Sequence, residues 1–183
     1  MALIRRARAD DAAGIAQVHV ASWRSTYPGM VPDSYLLGLS TDAYTERWRA
    51  ILNDHGRIHA TFVAVEPPPF DVIGFASCGT QRTRLEGFGG EFYALYLYDY
   101  AQGHGIGRML MSAMAAELVN YGMNSAVVWV LHNNPSRWFY ERLGGVRIAE
   151  KPIGFAGTTL TEVAYGWRDL APLARLSADP PVR

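Results

Sequence analysis

Seven residues near the middle of the chain, Gln102-Gly103-His104-Gly105-Ile106-Gly107-Arg108, restrict its fold more than any other segment. They follow an apolar run over residues 91–98 that reads as a strand. They precede a stretch over 107–121 whose apolar residues Leu110, Met111, Met114 and Leu118 recur at helical spacing. Alternate glycines at such a junction let the backbone approach a ligand closely. The new helix adds unpaired N–H groups and the positive end of its dipole. Together these suit a phosphate or pyrophosphate, to which Arg108 and His104 could add charge, although a plain tight turn uses the same residues.

Two other phosphate motifs can be tested letter by letter. A P-loop needs Gly, four residues, then Gly-Lys-Ser/Thr, and the chain has no such string. A dinucleotide turn needs G-x-G-x-x-G, but here the third glycine, Gly107, comes one position early and the turn follows a mid-chain strand. Both fail.

The rest of the chain supplies the setting. Residues 3–8 read as a first strand, and Asp10 or Asp11 can cap a helix carrying Ile15, Val18, His19 and Ser22 that ends before Pro28. A short helix around 33–39 and a longer one around 42–52 follow. Residues 58–66 and 71–80 read as strands separated by Pro67, Pro68 and Pro69. Residues 125–131 are a continuous apolar strand of the kind buried on both faces. Asn133-Asn134-Pro135 opens a helix over 136–143 that stops at Gly144-Gly145. A last strand lies near 159–167. The order β-α-α-β-β-β-α-β-α-β implies an α/β (α+β) fold, a mixed sheet flanked by helices. Residues 1–170 read as a single domain and 171–183 as a disordered tail.

Composition excludes several classes. With 183 residues, 17 Lys+Arg against 17 Asp+Glu and 12% aromatics, the chain is long enough to bury a core and lacks the basic excess of a nucleic-acid binder. Cys78 is alone, so neither an internal disulfide nor a multi-cysteine zinc site can form, which fits a reducing cytoplasm. The charged N-terminus lacks a signal-peptide core, and the longest apolar run is too short to span a bilayer. The expectation is a cytoplasmic protein with no metal, no nucleic-acid partner and no membrane partner.

Leu97 to Gly107, L-Y-D-Y-A-Q-G-H-G-I-G, resembles the acetyl-CoA pyrophosphate motif of the GNAT N-acetyltransferase superfamily, with Asp99 where the family usually has proline. Trp129 to Gly145, W-V-L-H-N-N-P-S-R-W-F-Y-E-R-L-G-G, is similar to the family's later segment, and the opening I-R-R-A-R-A-D-D is also typical of it. The resemblance covers most of residues 3–167. It implies a GNAT-type sheet, acetyl-CoA as co-substrate, and acetyl transfer to a primary amine of a small molecule by direct attack in a ternary complex. A homodimer is a further expectation. A protein N-terminus or lysine as acceptor, and a non-catalytic acyl-CoA sensor on the same fold, are the alternatives.

The resemblance also assigns residues. Gln102, Gly103, His104, Gly105, Ile106, Gly107 and Arg108 hold pyrophosphate, while backbone groups of Leu95, Tyr96 and Leu97 hold the pantetheine arm and thioester. Asn134 is the cofactor-contacting Asn, with Asn133 as its register alternative; either can instead cap the helix. Glu91, opening the strand, is the expected base, and Tyr140 the expected acid for the departing thiolate. His132 is an alternative base. Cys78 and His19 read as core residues, and Trp23, Tyr27, Tyr35, Tyr44 and Trp48 as either acceptor lining or packing.

Overall fold

The glycine turn does join a strand to a helix, in a computed structural model that describes residues 2–69 and 71–176. In chain order the elements are β1 (Leu3–Arg6), α1 (Ala12–Thr26), α2 (Asp33–Leu37), α3 (Thr41–Leu52), β2 (His59–Val65) and β3 (Val72–Thr80). They continue with β4 (Gly90–Leu97), α4 (Ile106–Asn120), β5 (Ala126–Leu131), α5 (Arg137–Arg142), β6 (Val146–Phe155), β7 (Thr158–Trp167) and α6 (Ala171–Ala174). The strands form one seven-stranded sheet in the order β1-β2-β3-β4-β5-β7-β6. Every described pair is antiparallel except β4 with β5.

Side chains alternate across the sheet, so each strand feeds two cores. Cys78, Phe92, Val128, Val163 and Tyr165 face α4, whose Leu110, Met111, Met114 and Leu118 complete that layer. Val63, Val65 and Phe75 face α1 and α3, meeting Ile15, Val18 and Trp48. A third cluster, Val20, Tyr27, Val31, Leu36 and Leu39, closes the end of α1 over α2.

Two elements differ from expectation. The sheet gains β6, an edge strand that alternates weakly and contains Pro152. An edge tolerates proline because one of its backbone rows needs no partner strand. The β6–β7 connection is tight because Ala156 (φ 47°) and Gly157 (φ 79°) both take left-handed conformations, as a two-residue hairpin turn requires. The expected tail changes as well. Residues 171–176 pack on α4, with Leu170 and Leu173 buried and the Ser112 hydroxyl donating to the Ala174 carbonyl at 3.0 Å. Burial of those two leucines offsets the entropy of ordering the segment. Residues 177–183 lie outside the described residues. No described helix is long and apolar enough to cross a membrane.

Candidate active site

The site begins where β4 leaves β5. Their parallel pairing lasts only through Gly90–Ala126, Glu91–Val127 and Phe92–Val128. Against β3, Phe92 pairs with Cys78 and Ala94 with Ser77, so Tyr93 is an extra residue in β4. Such a bulge bends its strand, and here it coincides with the point at which β4 diverges. The Tyr98 N–H donates to the Ile73 carbonyl at 3.0 Å. By the two-residue alternation Tyr96 also turns its backbone to β3, while Leu95 and Leu97 turn theirs to the gap. Of the three residues expected to offer backbone groups, Leu95 and Leu97 thus turn theirs away from β3, and the Leu97 carbonyl accepts from the Ser22 hydroxyl at 3.1 Å. Tyr96 contributes its side chain instead.

A cleft of about 1470 Å³ runs through this gap. At one end lies the glycine turn. Gly103 (φ 78°) and Gly105 (φ 79°) are left-handed, and Gly105 caps α4, so the chain enters the helix with its first N–H groups turned toward the cleft mouth. Gly107 is needed for packing. A Cβ there would lie 3.3 Å from the Phe139 ring of α5, which holds the two helix starts together. Gln102, Gly103, His104, Gly105, Gly107 and Arg108 all line the cleft, whereas the Ile106 side chain is buried in the core. Arg108 Nε is buried without a hydrogen-bond partner. An unpaired guanidinium nitrogen beside free helix N–H groups fits a phosphate-bearing ligand. Asp99, at the family's usual proline, accepts from the Ser25 hydroxyl at 3.0 Å and so ties the turn to the end of α1.

In the middle stands a cluster of hydroxyl groups. Tyr27 and Tyr96 hydroxyls are 3.4 Å apart, and Asn134 Nδ2 donates to Tyr27 Oη, also at 3.4 Å. Asn134 Oδ1 accepts from the Ser136 N–H at 2.9 Å, so this side chain both shapes the entry to α5 and reaches into the cleft. Asn133 does not line it. Tyr140 is buried against Phe139 and Trp167. Burial raises its pKa, with the nearby Tyr27 adding to the effect. Burial likewise raises Tyr27 and Tyr96. All three phenols therefore hold their protons at neutral pH.

The far end is aromatic and charged. Glu91 is 2% exposed, but burial comes with a partner that the sequence did not reveal. Arg82 donates to Glu91 Oε1 from Nη2 (2.7 Å) and Nε (3.2 Å), and its backbone N–H donates to Oε2 at 2.8 Å. A second carboxylate, Glu162 on β7, also lines this end, and sequence reasoning missed it because nothing in T-L-T-E-V-A-Y-G-W distinguishes it from an exposed strand residue. Burial raises the pKa of Glu162; Lys151 and Arg82 oppose that rise and Glu91 adds to it. Trp23, Tyr27 and Phe155 form the wall opposite.

Other candidates fall elsewhere. His132 lines a separate cavity of about 320 Å³ with Thr159 and Thr161, so it is not brought to the cleft. Tyr44 and Trp48 pack around His19 beneath the site. Cys78 is buried, its thiol pushed up to about 12 by burial. Among the described residues no group of three or more His, Cys, Asp or Glu could hold a metal ion.

Comparison with known proteins agrees with this geometry. Residues 78–152, which span the gap, the glycine turn and α5, match the family model of FR47-like proteins. The chain is 39% identical over 176 residues to YuaI of Bacillus subtilis (strain 168), an uncharacterized N-acetyltransferase, covering 96% of this chain and 98% of that one. Its fold is like that of an N-acetyltransferase from Staphylococcus aureus Mu50 (TM-score 0.68, 19% identity, 93% of this chain and 99% of the other). It is also like a GNAT superfamily phosphinothricin acetyltransferase from Sinorhizobium meliloti in complex with AcCoA (TM-score 0.64, 24% identity, 91% and 87%). A gap between the parallel strands, a glycine turn opening a helix at that gap, and a relative matching nearly end to end identify the chain as a member of the GNAT superfamily of N-acetyltransferases.

Proposed function

We propose that the protein transfers the acetyl group of acetyl-CoA to a primary amine of a small molecule by direct attack in a ternary complex. The observation that carries this reading is the single cleft joining the glycine turn, through the β4–β5 gap, to the carboxylates and aromatics beyond. When bound, acetyl-CoA supplies a thioester carbon for the amine nitrogen and a thiolate that leaves.

The chain's part is to bind, align and move protons. The first N–H groups of α4, with Gln102, His104 and the Arg108 cation, bind the pyrophosphate, a task suited to a helix N-terminus. Backbone groups of Leu95 and Leu97 hold the arm in line. A backbone N–H in this gap also stabilises negative charge developing on the carbonyl oxygen. Alignment is the largest contribution, on the order of 7 to 11 kcal/mol. Glu91 accepts the amine proton through water, since Arg82 already engages both its oxygens. Tyr140, kept protonated by burial, donates to the thiolate, and such a positioned acid contributes about 100-fold or more. The overall change replaces a C–S bond with a C–N bond and releases one proton from the ammonium. A reducing, cytoplasmic setting suits the lone buried thiol of Cys78.

The test combines binding with turnover. Acetyl-CoA and CoA, but not ATP or NAD, should raise the melting temperature, and an amine panel should then show release of free thiol. Glu91→Gln and Tyr140→Phe should each lower kcat while leaving acetyl-CoA binding intact. A variant with the wild-type rate would remove that residue from the mechanism. Absence of any shift with millimolar acetyl-CoA would overturn the reading as a whole.

A further inference from the structure

Lys151 is the chain's sole lysine, every other basic side chain among its 17 Lys+Arg being arginine. It lies on β6, opposite Glu162 of β7 in the register, on the face of the sheet that carries the acceptor end of the cleft. Its Nζ sits 4.2 Å from the centroid of the Trp129 ring and 4.0 Å from Glu162 Oε2. Trp129 is fixed for this contact, because its Nε1 donates to the Thr83 hydroxyl at 3.0 Å. A primary ammonium belonging to the chain itself thus already rests between an oriented indole face and a carboxylate.

The ammonium and the carboxylate are paired only loosely. At 4.0 Å no hydrogen bond forms between them, and Glu162 accepts none from any described side chain. The two carboxylates of this end are therefore unequal. Glu91 has its cation, Arg82, in direct contact. Glu162, partly removed from water, faces Lys151 from β6, Glu91 from β4, Arg82 from the loop after β3 and Tyr27 from the end of α1, and has a hydrogen bond from none of the cations. A partly desolvated carboxylate without hydrogen bonds gains from any cation that can reach contact distance. The Lys151 ammonium stands outside hydrogen-bond distance in this geometry, 4.0 Å from Oε2, and a free ligand can approach more closely.

We propose that the notch between Glu162 and Trp129 receives the ammonium of the acceptor amine, in place of Lys151, and that the acceptor is a primary amine carried on an apolar body. The second part follows from the walls beyond the notch, formed by Trp23, Tyr27, Leu131, Phe155 and Leu160. Aromatic faces add cation–π attraction and apolar burial but give no partner to a second charge. The substrate class rests on the acetyltransferase reading; the ammonium site does not.

The experiment is titration of 2-phenylethylamine into CoA-loaded protein by calorimetry, followed by thiol release with acetyl-CoA. Lys151→Met removes the internal competitor and should tighten amine binding by about threefold, the worth of an exposed ion pair and cation–π contact. Glu162→Gln should weaken it by about tenfold or more, the cost of losing a partly buried charge partner. Affinity for CoA should stay within twofold of wild type in both, by the distance of β6 and β7 from the glycine turn. Opposite shifts from two neighbouring residues are hard to obtain from a merely structural role. Wild-type amine affinity in Lys151→Met, whose side chain is at the exposed rim, overturns the site even if Glu162→Gln does not fold. Spermidine binding more tightly than 2-phenylethylamine overturns the apolar body. The expected pattern without thiol release leaves the ammonium site standing and removes the acetyltransferase reading. Thiol release without the pattern does the reverse.

Discussion

His19 offers a quantitative test of the packing beneath the site. It is enclosed by Trp23, Tyr44, Trp48, Phe75 and Tyr96, stacked on the last at 5.4 Å, and its Nδ1 accepts from Trp48 Nε1 at 3.1 Å. Protonation would end that hydrogen bond and place a cation in an enclosed space facing Arg47. Burial first, and Arg47 second, lower the imidazole pKa from 6.5 to about 4. For a base with a depressed folded value, the unfolded chain takes up a proton first. The stability contribution is then complete above pH 6.5 and is lost as pH falls through the window down to about 4. Between pH 7 and pH 5 the loss from this one group is about 2 kcal/mol. Urea unfolding at the two pH values should show it, and His19→Gln, which keeps an acceptor for Trp48 but does not titrate, should lose that part of the slope. Parallel pH dependences in the two proteins would refute the reasoning. The aromatic faces would then be stabilising an imidazolium by as much as burial costs, against the usual 0.5 to roughly 2 kcal/mol for such contacts.

Two further perturbations test the ends of the molecule that matter for binding and for stability. Arg108→Gln should weaken CoA binding by about tenfold to a hundredfold, as expected for losing a charge-assisted contact to phosphate, with little change in the melting temperature of the free protein. Unchanged affinity would show that the orphaned Nε serves packing alone. Leu173→Ala, in the short helix docked on α4, should cost about 2 to 4 kcal/mol in urea unfolding, because its side chain is 3% exposed and the site is enclosed. A loss under half a kcal/mol, the usual effect of an exposed surface substitution, would mean that 171–176 do not dock.

Much of the fold is legible in local pattern. The helices α1, α3, α4 and α5 and the strands β2 to β5 announce themselves by periodicity, caps and glycine stops, because those signals act between near neighbours in the chain. The glycine turn is legible for the same reason, as its left-handed residues must be glycine or nearly so. β6 escaped because an edge strand needs neither continuous apolarity nor freedom from proline, and 171–176 escaped because a short segment is ordered by what it docks on. Within the site, Tyr140 and Asn134 could be named from the segment around α5. The partner of Glu91 could not, since Arg82 lies nine residues away across a loop and looks like any surface arginine.

What the sequence by itself determined is therefore the glycine-turn half of the cleft: a strand, a glycine turn and a helix start that are contiguous in the chain and fold by local rules. What only the tertiary structure decided is the far half of the cleft, where the proposed acceptor binds. There the divergence of β4 from β5 after three paired residues, the Arg82–Glu91 pair, and the meeting of Lys151, Trp129 and Glu162 join residues far apart in the chain, such as Gly90 and Ala126. Sheet register brings these side chains to one face, and register is a property of paired strands. No single strand carries it in its own letters.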